Sequence, residues 1–530
     1  MKSSKITFAR ALFAGTVVTA FPCSAMAQAF ADAATSASGY ANGTIAPAQN
    51  CAALARTALP EVLNMTATAQ PAAGEIPAYC LVEGTIEPEV KFQVSLPQTW
   101  NGRFYMVGNG GHAGTLPGAA ARNDPLRNHF VWAATDTGHD AAQEPGASFV
   151  MSNPQKAIDY AYRAVHVTAV TAKALANAYY GRPVDYSYWN SCSNGGRQGL
   201  LEAQRYPEDF DGIVANAPWV DQTGFTMGAL WNQQALATAN VTAGKLATLA
   251  SSVMTKCDAV DGLEDGLIDD PRQCDFNVVR DVPACAAGSD DDSCLTAAQA
   301  AAIQKVYDGP RNGAGEQIFP GFMPGSEQVV PGPNGTSNSS WLNLIVPANA
   351  DATPADLGLA LGTMRYLVPL TPQPEWNYTE FDFDDDVEDL DRWSRLADAN
   401  DINLRAFRAR GGKLLMTYGW ADTILQPLMG VNYYEQAVTA NGANGEEFMR
   451  LFMLPGMTHC AGGLGPDVHD PVTAVIDWVE TGKAPELIVA KKVVNGEVTR
   501  SRPLCPYPQV ARYSGNGSID DAANFSCEAP

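Results

Sequence analysis

The chain is 530 residues long, 46% hydrophobic and 17% charged, with 57 acidic against 34 basic side chains and a formal net charge of −23. So acidic a molecule is repelled by polyanions, which excludes nucleic acid and anionic membrane as partners. Its length suffices for one large core carrying an insertion, or for two domains.

The chain opens with a basic stretch, MKSSKITFAR, followed by ALFAGTVVTAF, an apolar run too short to cross a bilayer, and the small-x-small site SAMAQAF. This order predicts an export signal over 1–27, cleaved after Ala27. Pro22 makes Cys23 a poor lipid-attachment site, so no membrane anchor is expected and the mature chain should be secreted or periplasmic. Export changes how the eleven cysteines read. Without Cys23 ten remain, and an even number in an oxidising compartment favours five disulfides. Short separations suggest Cys51–Cys80, Cys257–Cys274, Cys285–Cys294 and Cys505–Cys527. Elimination leaves Cys192 for Cys460, a connectivity that sequence alone does not force.

From about residue 91 to 220, short apolar runs alternate with helical patterns. VKFQVSL, RFYMVGN and HFVWAATD read as strands, the stretch from Ile158 to Gly181 as a long helix, and VDYSYWN as a strand leading through SCSNG into the helical RQGLLEAQRYP. This alternation predicts a mostly parallel α/β sheet. Over 221–400 the rhythm is lost among cysteines, acidic loops and the Pro/Gly/Asn/Ser-rich run GFMPGSEQVVPGPNGTSNSS, so this part reads as an inserted lid. The α/β pattern returns at GGKLLMTYG, EFMRLFMLPG and VTAVIDWVETG. The expected organisation is a catalytic body in two parts, 28–220 and 401–530, interrupted by the lid over 221–400.

A strand that enters a tight turn at Ser193 and leaves as a helix is the setting of a nucleophile elbow, in which the serine hydroxyl projects at a helix N-terminus. G-x-S-x-G is only half present, since Ser191 takes the first glycine position and Gly195 the second, and Ser193 could equally be an ordinary helix cap. A nucleophilic serine needs a base, and the base an orienting acid. Of six histidines, His459 follows the strand-like FMLPG, and Asp422 likewise follows GKLLMT. The order Ser193, Asp422, His459 is that of α/β-hydrolases; Asp467 is a weaker acid because it follows the histidine. An oxyanion site would use the backbone N–H of Asn194 and one from the GNGGHAG loop at 108–114. His112 in that loop reads more readily as packing than as a substrate contact. Further on, Asp258, Asp261 and Asp265 gather hard oxygens in one short loop suited to Ca²⁺, although Val260 breaks the EF-hand spacing and an acidic solvated turn is the competing reading. No His/Cys cluster reads as zinc, because oxidation accounts for the cysteines.

CSNGGRQG, TYGWAD and MTHC, together with WNGRFYMVGNGG, NAPW, CDAVDGLEDGLIDD and RPLCPYPQVARY, resemble the tannase and feruloyl esterase family through nearly all of the mature chain. The resemblance implies an α/β-hydrolase fold whose large inserted lid binds the aromatic acid portion, a triad on Ser193, Asp422 and His459, and a Cys192–Cys460 bridge beside it. It selects Gly111 as the second oxyanion donor. It also implies a structural Ca²⁺ held by Asp258, Asp261 and Asp265, with carbonyls from Leu263 and Leu267. The expected activity is hydrolysis of esters of phenolic aromatic acids, free or attached to plant material, in a cleft to which Phe225, Trp231, Trp341, Tyr366 and Trp376 could contribute. Two departures bear on the substrate. Arg365 is displaced from the place where a terephthalate half-ester specialist of the family is expected to hold the free carboxylate, and Tyr418 stands where the family often has histidine. Both favour a phenolic ester over mono(2-hydroxyethyl) terephthalate, the second reading. A third, a calcium-stabilised carbohydrate- or polyphenol-binding protein with a retired site, is opposed by the complete triad.

Overall fold

Nine runs rich in branched and aromatic residues pair into one sheet in the computed structural model, which describes residues 29–331, 337–349, 351–442 and 445–530. The expected export signal lies outside the described residues. The strands are β1 Val62–Gln70, β2 Tyr79–Ile86, β3 Val90–Pro97, β4 Arg103–Met106, β5 Val131–Thr135, β6 Tyr186–Cys192, β7 Gly212–Asn216, β8 Lys413–Gly419 and β9 Met449–Leu454. Their spatial order is β1-β2-β3-β5-β4-β6-β7-β8-β9. The pairs from β1 to β5 are antiparallel and those from β5 to β9 parallel. The central strands are buried almost throughout, as a sheet covered on both faces requires. In register, Cys192 of β6 and Thr417 of β8 both face Asn216 of β7, so β6 and β7 end level and β8 runs on to Gly419. The loops after them meet at one edge, the carboxyl edge where open α/β sheets place their sites.

The principal helices are α1 Ala164–Tyr180, α2 Asn194–Arg205, α3 Gln222–Leu236, α4 Ala243–Cys257, α5 Ala297–Asp308, α6 Ala355–Gly362, α7 Asp391–Ala397, α8 Pro427–Ala440 and α9 Pro471–Thr481. The helix expected over 158–181 is continuous from Gln155, but widens to a π-turn over Asp159–Arg163 before α1. Between β7 and β8 the regular structure is chiefly helical, and the chain carries two cores. Phe225 and Leu230 of α3, with Met364, Leu367 and Trp393, continue the core of the sheet. Leu246, Val253, Ile303, Trp341 and Ile345 form a separate outer cluster.

The chain leaves and rejoins the sheet at a single joint. Ala399 N–H donates to Val220 O at 2.7 Å. Asp398 Oδ1 accepts the N–H groups of Gln222 and Thr223 at 2.8 and 3.2 Å, and Asp221 caps α3 through Gly224 N–H at 2.6 Å. Thr223 Oγ1 lies between the two carboxyls, 2.6 Å from Asp398 Oδ2 and 3.2 Å from Asp221 Oδ1. After α9 two hairpins follow, β10 Ile488–Val494 with β11 Glu497–Leu504 and β12 Val510–Tyr513 with β13 Phe525–Glu528. They reach back to the acidic loop at 258–269. Arg502 pairs with the Asp265 carboxylate, Arg500 donates to Asp265 O at 3.0 Å and Arg512 to Asp261 O at 2.9 Å. Among the described residues five disulfides are formed: Cys51–Cys80, Cys192–Cys460, Cys257–Cys274, Cys285–Cys294 and Cys505–Cys527.

Candidate active site

Ser193 sits between the end of β6 and the start of α2 with φ 63° and ψ −126°, a region that a side-chain-bearing residue occupies at a cost of about 1–3 kcal/mol. Backbone bonds hold it there: Ser193 N–H donates to Asn216 O at 3.0 Å, and Ser193 O accepts from Arg197 and Trp219 N–H, each at 3.0 Å. The turn is tight enough that a Cβ at Gly195 would fall 2.0 Å from Ser191 Oγ. Gly195 thus makes room for the serine that replaces the first glycine of the elbow pattern. At the first position of α2, the Asn194 N–H has no acceptor within the helix.

Asp422 lies just beyond β8 and is fully buried. Its Oδ1 accepts the N–H groups of Ile424 and Leu425 at 3.0 and 2.9 Å, which fixes the carboxylate and leaves Oδ2 for His459 Nδ1 at 2.8 Å. That bond sets the imidazole so that Nε2 faces away from the acid, as a general base requires. Asp467, the other acid considered, is engaged elsewhere, with Gly462 N–H at 2.8 Å and Lys492 Nζ at 3.0 Å. The Cys192–Cys460 bridge has a Cα–Cα distance of 5.9 Å. One half directly precedes Ser193 and the other directly follows His459, and a ring nitrogen of His459 lies within 4.8 Å of both sulfurs.

The GNGGHAG loop lies on the far side of the elbow. Gly111 has φ +52°, in the left-handed region that favours glycine, and its hypothetical Cβ would meet Leu359 of α6 at 3.7 Å. The inserted segment therefore covers this loop. His112 is buried between the rings of Tyr160 and Trp219, with Nε2 3.4 Å from Thr363 Oγ1. Burial lowers its pKa to about 3, so it stays neutral and serves as packing. Of the aromatic residues singled out in the sequence, Trp341 lies in the outer core and Phe225 packs edge-on against Trp219 at 5.0 Å. Trp231 meets Phe383, and Trp376 meets Phe381. Arg365 donates through Nε to Trp376 O at 3.0 Å, and Tyr418 is buried with its hydroxyl on Pro218 O at 3.2 Å.

Among the described residues, two groups bring three metal-ligating side chains within 4.8 Å of one another. Cys192, His459 and Cys460 form one, but its cysteines are spent in the bridge. The other, missed in the sequence, is His166, Glu202 and Asp209 at the far end of α2, where His166 Nδ1 lies 2.6 Å from Asp209 Oδ2 and the Lys173 ammonium donates to Asp209 O. The 258–269 loop closes on itself instead. Asp258 Oδ1 accepts from Asp265 and Gly266 N–H, Asp261 Oδ1 from Leu263 N–H, and Asp265 Oδ1 from Leu267 N–H. Beside it Asp269 is pushed up to about 7 by burial and by Asp261 and Asp265.

A profile described as tannase and feruloyl esterase matches residues 74–528. The chain belongs to the tannase and feruloyl esterase family. It is 35% identical to an uncharacterized esterase of Xanthomonas campestris pv. campestris, over 90% of this chain and 91% of the relative. It is 34% identical to the mono(2-hydroxyethyl) terephthalate hydrolase of Piscinibacter sakaiensis, over 88% and 87% respectively. The crystal structure of an esterase from Aspergillus oryzae superposes with a TM-score of 0.77 at 26% identity, covering 90% of this chain and 99% of that one. The fold is thus that of the α/β-hydrolase esterases of this family with a helical insertion, and the protein is a carboxylic ester hydrolase of the feruloyl esterase and tannase type, a serine hydrolase acting on phenolic and aromatic esters.

Proposed function

We propose that Ser193 is the nucleophile, His459 the general base and Asp422 its orienting acid. The observation that carries this reading is the 2.8 Å His459–Asp422 bond beside a serine held in an elbow conformation. Ser193 Oγ attacks the ester carbonyl as His459 Nε2 takes its proton. Backbone N–H groups of Asn194 and Gly111 receive the developing oxyanion, and His459 returns the proton to the departing alcohol. Water then repeats the sequence on the acyl-enzyme and frees the aromatic acid. Asp422 holds the proton on Nδ1 and offsets the imidazolium charge.

The favoured substrates are esters of hydroxycinnamic and hydroxybenzoic acids, including those attached to plant material. Turnover of terephthalate half-esters is the second reading, raised by the Piscinibacter relative; the use of Arg365 on the Trp376 carbonyl weighs against it. Purified enzyme compared on methyl ferulate, methyl gallate and mono(2-hydroxyethyl) terephthalate separates the two. A higher kcat/KM on the half-ester than on both phenolic esters would reverse the preference. The reading extends to export of the mature chain and to one structural Ca²⁺. The donor chemistry of the 258–267 loop fits that ion: carboxylates of Asp258, Asp261 and Asp265 and carbonyls of Leu263 and Leu267 are hard oxygens. Its role is to order the loop, away from the chemical step.

A further inference from the structure

Tyr160 lies in the π-turn over Asp159–Arg163, a distortion that often marks functional sites. It is buried, and its hydroxyl is 3.3 Å from Gly111 O and 3.5 Å from Asn194 Oδ1. It therefore touches both residues whose N–H groups are read above as the oxyanion site. The donor directions around it are fixed by chemistry. Trp393 Nε1 can only donate, and it does so to Gln222 Oε1 at 2.9 Å. The Gln222 amide must then present Nε2 to Tyr160, which it does at 3.0 Å. Having accepted that bond, the Tyr160 hydroxyl can spend its own proton only toward Gly111 O or Asn194 Oδ1. Arg197, also donor-only, reaches the same Asn194 Oδ1 at 2.7 Å and clamps the turn through Tyr160 O and Ala161 O and the inserted segment through Ala397 O. The guanidinium stands 4.9 Å over the Tyr160 ring, and Trp393 lies parallel to that ring at 6.3 Å.

We infer that Tyr160 is a positioning residue for ester hydrolysis, one that holds Gly111 through its carbonyl and Asn194 through its side-chain Oδ1 in the arrangement that receives the oxyanion and ties that arrangement to the seating of α7 through Gln222 and Trp393. It acts through these two residues and does not touch substrate. The inference rests on the oxyanion reading above.

Tyr160→Phe keeps the ring and its stacking and removes only the hydroxyl, so it isolates the effect. Its kcat should fall about tenfold with KM within about twofold of the wild type, a fraction of the 10²–10³ that follows loss of a whole oxyanion donor. An aryl trifluoromethyl ketone gives a second readout. The Ser193 hydroxyl adds to the ketone carbon as His459 takes its proton, leaving the former carbonyl oxygen as an oxyanion, and affinity for this adduct should fall by the same factor as kcat. Binding of ferulate, the product acid, should not change. Gln222→Leu breaks the same chain one bond earlier and should shift both quantities in the same direction, about threefold, which keeps the test alive if Tyr160→Phe fails to fold. Wild-type kcat and ketone affinity in either folded variant, or a loss shared equally by ferulate binding, would overturn the inference. If the wild type itself binds the ketone no more tightly than the corresponding alcohol, the oxyanion reading fails first and takes the inference with it.

Discussion

Ser193 occupies a backbone conformation that nothing but its surroundings would tolerate, and those surroundings are small residues and three backbone hydrogen bonds. Ser193→Ala changes no part of that frame. Turnover should fall by a factor on the order of 10⁴–10⁶ while the melting temperature stays within a few degrees, as paired kinetics and calorimetry would show; ester hydrolysis near the wild-type rate would remove Ser193 from the chemistry. At this scale the sequence was informative where chemistry is punctuated by local structure. Ser193 follows β6 directly, while Asp422 and His459 lie in the loops just after β8, which ends at Gly419, and β9, which ends at Leu454, and the expected serine–acid–histidine order is the order of those strands. Tyr160, Gln222, Arg197 and Trp393 were not legible, because their significance lies in donors and acceptors that meet only after four separate segments have packed. The Arg197 spacing of three from Asn194 was visible on α2, but its partners at Ala161 and Ala397 were not.

Among elements, the parallel strands were legible because full burial writes itself as apolar runs, whereas β1, exposed over much of its length, reads VLNMTATAQ and carries little pattern. The two terminal hairpins were likewise unread, and with them the arginines that meet the acidic loop. The joint at 220–223 and 398–399 has a consequence for stability. Asp398 is raised to about 7, chiefly by burial and secondarily by Asp221, so between about pH 4 and pH 7 the folded state keeps a proton that the unfolded chain has released. Stability therefore falls as pH rises through that window and levels off above it. Asp136, Asp356 and Glu327 are raised in the same sense by burial. Asp398→Asn imitates the protonated acid and can donate to Asp221. Its decline in stability from pH 5 to pH 8 should be shallower than that of the wild type by about 1–2 kcal/mol, as denaturant titrations at each pH would measure. Parallel pH profiles would show that Asp398 does not keep that proton.

At the scale of the whole molecule, the Cys192–Cys460 bridge spans 268 residues and so closes the catalytic body around everything inserted between. Replacing both cysteines by serine should lower stability by about 2–4 kcal/mol. It should lower activity by more than the unfolded fraction accounts for, since a displacement of about 1 Å at a reacting group can reduce the rate on the order of 100-fold. Activity per folded molecule, obtained by titrating active sites with a phosphonate ester, is the deciding quantity, and an unchanged value would leave the bridge a purely structural role. Calcium removal should act differently. Chelation is expected to lower the melting temperature while kcat per folded molecule holds, and elemental analysis should return one Ca²⁺ per chain; protein that holds none after calcium supplementation would reject the assignment.

The joint also gives the inserted segment a single point of entry and exit. Val220 and Ala399 are joined by one hydrogen bond, so the span between them begins and ends at one point, and two of the five disulfides, Cys257–Cys274 and Cys285–Cys294, are internal to it. Recombination at these two positions would exchange the segment that packs on the Gly111 loop without rethreading the sheet. The transplant must deliver a partner for Arg500, Arg502 and Arg512, and it must carry its own donor to the Tyr160 hydroxyl, as Gln222 does. Segments that satisfy both should graft as working chimaeras, whereas those that lack the acidic loop would leave Arg502 without the Asp265 carboxylate and Arg512 without the Asp261 carbonyl.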